Sequence, residues 1–342
     1  MKIKFLIISI LLSFNLLKAQ DGLPVYHDYL TGGWYLVHPS MAGGAYHNQL
    51  RVTGRTQWLD VEDAPSTLTA SINGRATKNV GLGLIAYGDK NGNYSDNGAY
   101  GTFAYHLNLS ARETELNQFS FGMSFGIIQS VLDETSFSSS LVALDPTLTG
   151  TSTTDEYVNS DFGASYLYKN FFALFSVKNA FKLFIKDSPF AEYDNLRRFV
   201  FTTGYTFKIK TPIEFKMEPS IQYISTPQIQ QDFIDFNGKG YLDITRDLTL
   251  WGGLSYRRSF DSIEYSINDT STQEFTFKSI TGFGGALYKD YVFAYTFTNQ
   301  LGGIPISTLG FHQITLGYNF GGDSRAYDGS RRWDCDCPVG KF

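Results

Sequence analysis

Apolar and polar residues alternate strictly along many short segments of this chain. From Phe119 to Ile127, Phe, Met and Ile occupy the odd positions, whereas Ser and Gly occupy the even ones. Three further segments repeat this period, with apolar sets Phe103, Tyr105, Leu107 and Leu109; Tyr291, Phe293, Tyr295 and Phe297; and Ile314, Leu316, Tyr318 and Phe320. A period of two is typical of a β-strand whose faces meet different environments. We therefore predict strands that separate an apolar solvent from a polar one.

About fourteen such strands are predicted. They lie near residues 48–61, 65–75, 80–89, 97–110, 116–130, 158–169, 171–179, 197–209, 213–226, 233–244, 248–260, 275–288, 291–300 and 311–320. Every second connection is tight: 77–79, 111–114, 169–170, 210–211, 245–247 and 289–290. The intervening connections are longer and polar (90–96, 131–157, 180–196, 227–232, 261–274 and 301–310), except for the corner at 62–64. Tight periplasmic turns alternating with long extracellular loops are typical of a transmembrane barrel.

The predicted fold is therefore an all-β, antiparallel outer-membrane β-barrel over residues 48–320. An even strand number returns both termini to the periplasm, so 321–342 is predicted to be a periplasmic tail. A soluble β-sandwich or propeller would also give short alternating strands. Neither explains the alternation of short and long connections, and the repeats of a propeller are absent from the sequence.

Residues 1–19 have the pattern of a signal peptide. Lys2 and Lys4 precede an apolar stretch from Phe5 to Leu17, and Ala19 is a small residue suited to cleavage. The stretch is shorter than the roughly 20 residues that a spanning helix needs. We expect export of the mature chain, and no Cys follows the leader to carry a lipid anchor.

Composition agrees with a wall between lipid and water. Aromatic residues make up 16% of the chain and charged residues 18%, below the roughly 25% charged residues of soluble proteins. The net charge of −5 gives no basic face, which nucleic-acid binding would need. The sequence therefore indicates outer-membrane lipid, and no nucleic acid, as a partner.

A barrel of about fourteen strands is wide enough to need a plug or water inside. Residues 20–47 precede the barrel, and Pro39 and Gly43 predict a bend there. One hypothesis is that residues 26–46, with Trp34 and Tyr35, partly fill the lumen. The alternative is that they lie across the periplasmic mouth.

The sequence proposes no catalytic, cofactor or metal site. The five His residues are scattered, and none belongs to a motif with a nucleophile and an acid. The stretch 89–97 is rich in Asp and Asn, but Tyr100 stands where an EF-hand needs a bidentate Glu. We predict a protein that is not an enzyme.

Two parts of the chain are candidates for specific contacts. Arg55 and Gln57 share a face of the first strand that is predicted to be luminal, where a buried guanidinium needs carboxylate partners. In the tail, Trp333 lies near Cys335 and Cys337, which are expected to form a strained disulfide or a bond to a partner in an oxidising periplasm. We interpret the tail as a periplasmic docking element, the alternative being a flexible end without function.

Five elements, in order along the chain, carry a family resemblance. They are His38-Pro39-Ser40-Met41-Ala42-Gly43, Arg55-Thr56-Gln57-Trp58, Ala64-Pro65-Ser66-Thr67, Gly81-Leu82-Gly83-Leu84, and the closing strand from His312 to Phe320. They resemble the N-P-A-x-A-G, R-x-Q-W, A-P-x-T, G-x-G and terminal-strand elements of the PorP/SprF family of type IX secretion membrane proteins. The matching positions are Pro39, Ala42, Gly43, Arg55, Gln57, Trp58 and Pro65. His38 replaces the usual Asn, and Ser40 the usual Ala.

The resemblance implies a non-enzymatic accessory of type IX secretion or gliding in a Bacteroidetes-type outer membrane. Family members support the export or surface retention of a cognate secreted adhesin, and some link the membrane to periplasmic secretion components. The alternative function is a diffusion channel or hydrophobic-solute transporter. An accessory is expected to have an occluded lumen, whereas a channel needs a continuous watery path. Inward faces rich in Ser, Thr, Gly and Asn favour occlusion.

Overall fold

The computed structural model describes residues 28–45, 47–59, 63–111, 115–137, 150–184, 196–209, 215–245, 247–268, 271–301 and 310–321. These residues form one antiparallel sheet. Its strands are β1 (Asn48–Gln57), β2 (Ser66–Arg75), β3 (Val80–Asn91), β4 (Tyr94–Asn108), β5 (Asn117–Asp133), β6 (Ser152–Tyr168), β7 (Phe171–Phe184), β8 (Arg198–Tyr205), β9 (Phe207–Ile209), β10 (Phe215–Thr226), β11 (Gln231–Asp243), β12 (Leu248–Asn268), β13 (Ser271–Tyr288), β14 (Tyr291–Gln300) and β15 (Phe311–Phe320).

The sheet closes on itself. β1 pairs with β15 from Asn48↔Phe320 to Gln57↔Phe311, and β10 pairs with β11. Strands β8 and β9 both pair with β10 and together make one wall strand, so the barrel has fourteen. The predicted fold class and strand number are confirmed. Closure pairs the backbone groups of a wall that has no edge, which a lipid environment requires.

The predicted division between the two faces is also confirmed. On β5, the side chains of Phe121, Phe125 and Ile127 are exposed outside the barrel, whereas Ser120 and Ser124 are buried inside. The exposed apolar set continues around the barrel, for example at Leu84, Leu254, Phe293 and Leu316. These exposed side chains make the outer face of the barrel apolar.

The two ends of the barrel differ. At one end, here called the turn end, tight connections include Lys169-Asn170 and Lys289-Asp290, where the Lys has φ of 50° and 54°. The strand termini Asn48 and Phe320 lie at this end. The opposite end is called the loop end.

Several connections at the loop end are shorter than predicted. β3 runs to Asn91 and β4 starts at Tyr94, so the expected loop 90–96 is almost entirely a hairpin with a turn at Gly92 and Asn93. The prediction of a loop at 261–274 is wrong for the same reason, because β12 and β13 extend through most of it. In the extension of β3 and β4 both faces are polar in sequence, so the alternation that predicts a strand is lost although the ladder of hydrogen bonds continues. The extension of β12 keeps an alternation at Ile263, Tyr265 and Ile267, so there the predicted strand was ended too early.

Residues 28–45, here called the luminal segment, lie inside the barrel. They form a 3-10 turn at Asp28–Thr31, helix α1 (Trp34–Val37) and a second 3-10 turn at Pro39–Met41. Trp34 is 3% exposed, and the cluster around it joins the segment to eight wall strands. Its described wall and segment members are Leu30, Val37, Met41, Leu167, Phe172, Leu174, Val200, Ile224, Tyr241, Trp251, Phe283 and Ala294.

Across the described ranges, no helix has both the length and the apolar character needed to cross a bilayer.

Candidate functional site

Wall glycines provide the surface on which the luminal segment rests. Gly81 on β3 and Gly122 on β5 face the lumen at neighbouring positions. A Cβ atom on Gly81 would overlap the carbonyl oxygen of Ala42, and one on Gly122 would overlap the main chain of Pro39. Gly163 on β6 faces Pro39 and Ser40 less closely, at 3.2 Å from an ideal Cβ. The absence of side chains at these positions allows the segment to approach the wall backbone.

Polar wall side chains bind the main chain of the segment. The Gly43 amide donates to Asn73 Oδ1 at 3.0 Å, and the Gly43 carbonyl accepts from Arg75 Nε at 2.8 Å. His106 Nε2 lies 2.9 Å from the Ala42 carbonyl oxygen. Gly43 has φ of +66°, in the left-handed region that favours Gly. The wall residues Asn73, Arg75 and His106, together with Gly81, Gly122 and Gly163, are here called the wall seat.

His38 is a fully buried polar residue of the segment. Its Nδ1 lies 2.7 Å from Ser176 Oγ on β7, and its Nε2 lies 3.1 Å from Thr202 Oγ1 on β8. Burial, followed by the nearby positive charge of Lys178, lowers the pKa of His38 to about 3. The ring is therefore neutral at physiological pH, with each nitrogen facing a hydroxyl that can donate or accept.

Tyr35 and Trp34 fix the helical part of the segment. The Tyr35 hydroxyl donates to Thr102 Oγ1 at 2.8 Å, and its ring occupies the space that a side chain on Gly83 would fill. Burial raises the pKa of Tyr35 above its ordinary value, so the hydroxyl remains protonated and able to donate. Trp34 packs edge-on against Phe172, with ring centroids 5.0 Å apart.

The lumen also contains buried ion pairs, which the predicted preference for small polar residues did not anticipate. Lys178 and Asp161 are 2.6 Å apart, and Lys178 Nζ also lies 3.4 Å from the Leu36 carbonyl oxygen. Nearer the loop end, Arg257 binds Asp235 through two hydrogen bonds of 2.6 Å. Within each pair the positive and the negative charge neutralise one another.

A third buried group lies near the turn end. Glu218 accepts from the Tyr241 hydroxyl at 3.1 Å. The ammonium of Lys239 lies 4.8 Å from the ring centroid of Tyr241 and 4.5 Å from that of Trp251. Attraction to the Glu218 carboxylate and to the two ring faces offsets part of the cost of removing water from this cation.

The structure separates the sequence-derived candidate residues into two groups. Pro39, Ala42 and Gly43 lie on the wall seat in the turn half of the barrel. The others lie at the loop end: the Gln57 amide donates to the Pro65 carbonyl at 2.9 Å, and the Trp58 amide donates to Gly310. The two groups do not form one site.

Arg55 has the luminal orientation that its position in β1 predicts. Its guanidinium lies 5.5 Å from the centroid of the Phe311 ring. A buried guanidinium with a carboxylate partner occurs at Arg257, while Arg51 donates to Asn319 Oδ1 at 2.8 Å.

Several wall residues of the site were not predicted from sequence. Asn73, Arg75, His106, Ser176 and Thr202 are recognisable as luminal from their strand parity, but parity does not say which strands face the segment. Two predicted features lie outside the described residues: the leader 1–19, and the tail with Trp333, Cys335 and Cys337. Within the described ranges, no three His, Cys, Asp or Glu residues are grouped closely enough to hold a metal ion.

Comparison with known proteins identifies a family. The profile described as type IX secretion system membrane protein PorP/SprF matches residues 18–318. No curated protein gives a significant sequence match to the chain.

Solved membrane barrels have a similar fold at very low identity. CdiB from Acinetobacter baumannii is 6% identical, with a TM-score of 0.40; the match covers 80% of this chain and 60% of that chain. The CymD monoaromatic hydrocarbon channel is 12% identical over 80% of this chain and 88% of its own, with a TM-score of 0.43. The A. baumannii outer membrane protein Omp33 is 11% identical, with a TM-score of 0.39; the match covers 81% of this chain and 100% of that chain.

Proposed function

The chain belongs to the PorP/SprF family of type IX secretion system membrane proteins, and we propose that it is a non-enzymatic outer-membrane accessory that binds a cognate secreted adhesin. In this role it supports the secretion of the adhesin or its attachment to the cell surface. The partners are then the adhesin, other type IX secretion components and the surrounding lipid.

The observation that supports this proposal is the occluded lumen. Among the described residues, side chains inside the barrel are buried at several levels, for example Trp34 of the segment in the turn half, Gln222 near the middle and Thr298 in the loop half. A diffusion channel needs a continuous watery path, which such burial disfavours. An accessory whose task is to hold a partner needs a rigid wall and two accessible ends instead.

The proposed orientation follows from the connections. Short turns of transmembrane barrels lie in the periplasm and longer loops outside the cell. The turn end, with Asn48 and Phe320, is then periplasmic, and both termini lie on that side. Residues 321–342, including Trp333, Cys335 and Cys337, would be available there to dock secretion components.

The decisive experiment is purification of the native barrel from its own outer membrane in mild detergent, followed by mass spectrometry of the proteins that accompany it. A large secreted adhesin in stoichiometric amount is the expected result. The control is another abundant barrel purified from the same membranes with the same tag. A lone barrel that conducts ions in planar bilayers would contradict the proposal and favour the channel function.

Exchange of Cys335 and Cys337 for Ser addresses the tail separately. If the tail docks periplasmic components through these thiols, the double variant should lose those components while retaining the adhesin. Unchanged recovery of all partners would show that the cysteines have no docking role.

A further inference from the structure

We propose that the wall seat is a peptide-binding site, occupied in the present state by the chain's own luminal segment, and that this segment can leave the seat while the barrel stays closed. The expected ligand class is a peptide with a compact turn and small residues at the point of closest approach. The inference goes beyond the proposed function, and its test uses no adhesin.

The first argument is that the wall is complete without the segment. All fourteen wall strands have two strand neighbours, and the closing pairs are β1 with β15 and β10 with β11. Among the described residues, the hydrogen bonds of the segment that join one main-chain group to another are internal, such as those from the His38 amide to the Trp34 carbonyl and from the Ala42 amide to the Pro39 carbonyl. Removal of the segment therefore breaks no rung of the sheet.

The second argument is that the seat recognises main-chain atoms. Asn73, Arg75 and His106 contact the amide or carbonyl groups of Gly43 and Ala42. Lys178 contacts the carbonyl of Leu36 in the same manner. Such contacts are available to any peptide with the right turn, in contrast to contacts that depend on one side chain.

The third argument is the shape of the wall. Gly81 and Gly122 leave space that the main chain of Ala42 and Pro39 fills: the nearest atoms to an ideal Cβ at either position belong to the luminal segment. A side chain larger than that of Ala at position 42 would have to fit beside β3 and His106. The seat thus selects small residues in its ligand, as the Ala-Gly sequence of the segment illustrates.

Binding in trans tests the proposal directly. The full chain without residues 28–44 is reconstituted in lipid nanodiscs and titrated with a fluorescent peptide of residues 33–45, with a scrambled peptide as control. Saturable binding of the native peptide alone is expected. Gly122→Ala in the same background should weaken binding at least tenfold. The matched change Gly238→Ala, at a position where a Cβ atom has no neighbour within 4 Å, should leave it unchanged.

A second measurement uses the intact chain, in case the shortened one does not assemble. Hydrogen exchange of full-length Gly122→Ala is compared with that of the parent and of Gly238→Ala. Exchange at residues 34–42 should accelerate at least tenfold only in Gly122→Ala, while strand amides remain protected. Unchanged exchange at 34–42, equal loss of protection in the strands, or equal binding of both peptides would each overturn the proposal.

Discussion

His38 and Ser176 are separated by 138 positions in the chain, yet His38 Nδ1 lies 2.7 Å from Ser176 Oγ inside the barrel. The other ring nitrogen faces Thr202 on the adjacent strand. One side chain of the luminal segment therefore joins β7 and β8 from within. Its loss would remove one hydrogen-bond partner from each of two buried wall hydroxyls, although Thr202 Oγ1 also accepts from Gln222 Nε2 at 3.0 Å.

Replacement of His38 by Ala should loosen the segment without unfolding the barrel. Two buried hydrogen bonds and the volume of the ring are lost, which together cost about 2–4 kcal/mol. His38→Asn restores the family's usual residue and one amide, so its cost should be about 1 kcal/mol. Hydrogen exchange at residues 34–42 reports the difference, since each 1.4 kcal/mol is about tenfold in the opening equilibrium. Equal protection in both variants and the parent would contradict a structural role for the ring.

Docking of the segment should weaken in acid. The pKa of His38 is 6.5 in the free state and about 3 in the docked state, so the released segment binds the extra proton. Stability from this group is complete above pH 6.5 and is lost, at about 1.4 kcal/mol per pH unit, as the pH falls toward 3. Protection at residues 34–42 should therefore decline between pH 6.5 and 4. His38→Asn provides the control, because its segment should lack this pH dependence.

Ser40→Ala should stabilise the docked segment. The main chain of Ser40 lies beside Gly122 and Gly163, its Oγ is buried, and no described residue forms a hydrogen bond to that Oγ. Removal of a buried, unsatisfied hydroxyl is expected to gain about 1 kcal/mol, and Ala is the family's usual residue here. Slower exchange at residues 34–42 would support this, and Ser40→Thr, which keeps the hydroxyl and adds volume, should exchange faster.

Loss of one partner of the Asp235–Arg257 pair should destabilise the barrel strongly, whereas replacement of both partners by apolar residues should change the free energy of unfolding little. The Asp235 side chain is 1% exposed and accepts both guanidinium hydrogen bonds. Asp235→Ala leaves a buried cation and should lower the free energy of unfolding by about 3–5 kcal/mol. The double change Asp235→Leu with Arg257→Met removes both charges and should remain close to the parent. Guanidinium titration in lipid or detergent measures both variants, and equal losses would refute the pairing argument.

A charge on the outer surface should have an effect that depends on depth. Leu84, in the middle of β3, is 62% exposed, and Leu109, just beyond the turn-end terminus of β4, is 57% exposed. Leu84→Arg should cost about 2–4 kcal/mol because the cation meets the bilayer midplane, whereas Leu109→Arg should cost about 0–1 kcal/mol near the interface. The two variants are matched in residue type and exposure. Equal free energies of unfolding would show that Leu84 does not face hydrocarbon.

The loop end shows where sequence patterns stop being informative. The hairpin from β3 to β4 continues to Asn91 and Tyr94, beyond the last clear alternation in sequence. Hydrogen bonds between strands do not need an apolar face once the wall leaves the membrane. The ends of β3 and β4 were consequently predicted as a loop, whereas the middle of each of these strands was predicted correctly.

The sequence alone determined the wall of this protein. A strand between lipid and a polar interior has to alternate, and a sheet in lipid has to close, so fold class, strand number and facing could be derived from local pattern. Only the tertiary structure showed that Pro39 contacts Gly122, that Ala42 contacts Gly81 and His106, and that His38 reaches Ser176 and Thr202. Those contacts join distant parts of the chain, and they depend on barrel width and on the path of the luminal segment, neither of which has a local periodic signal.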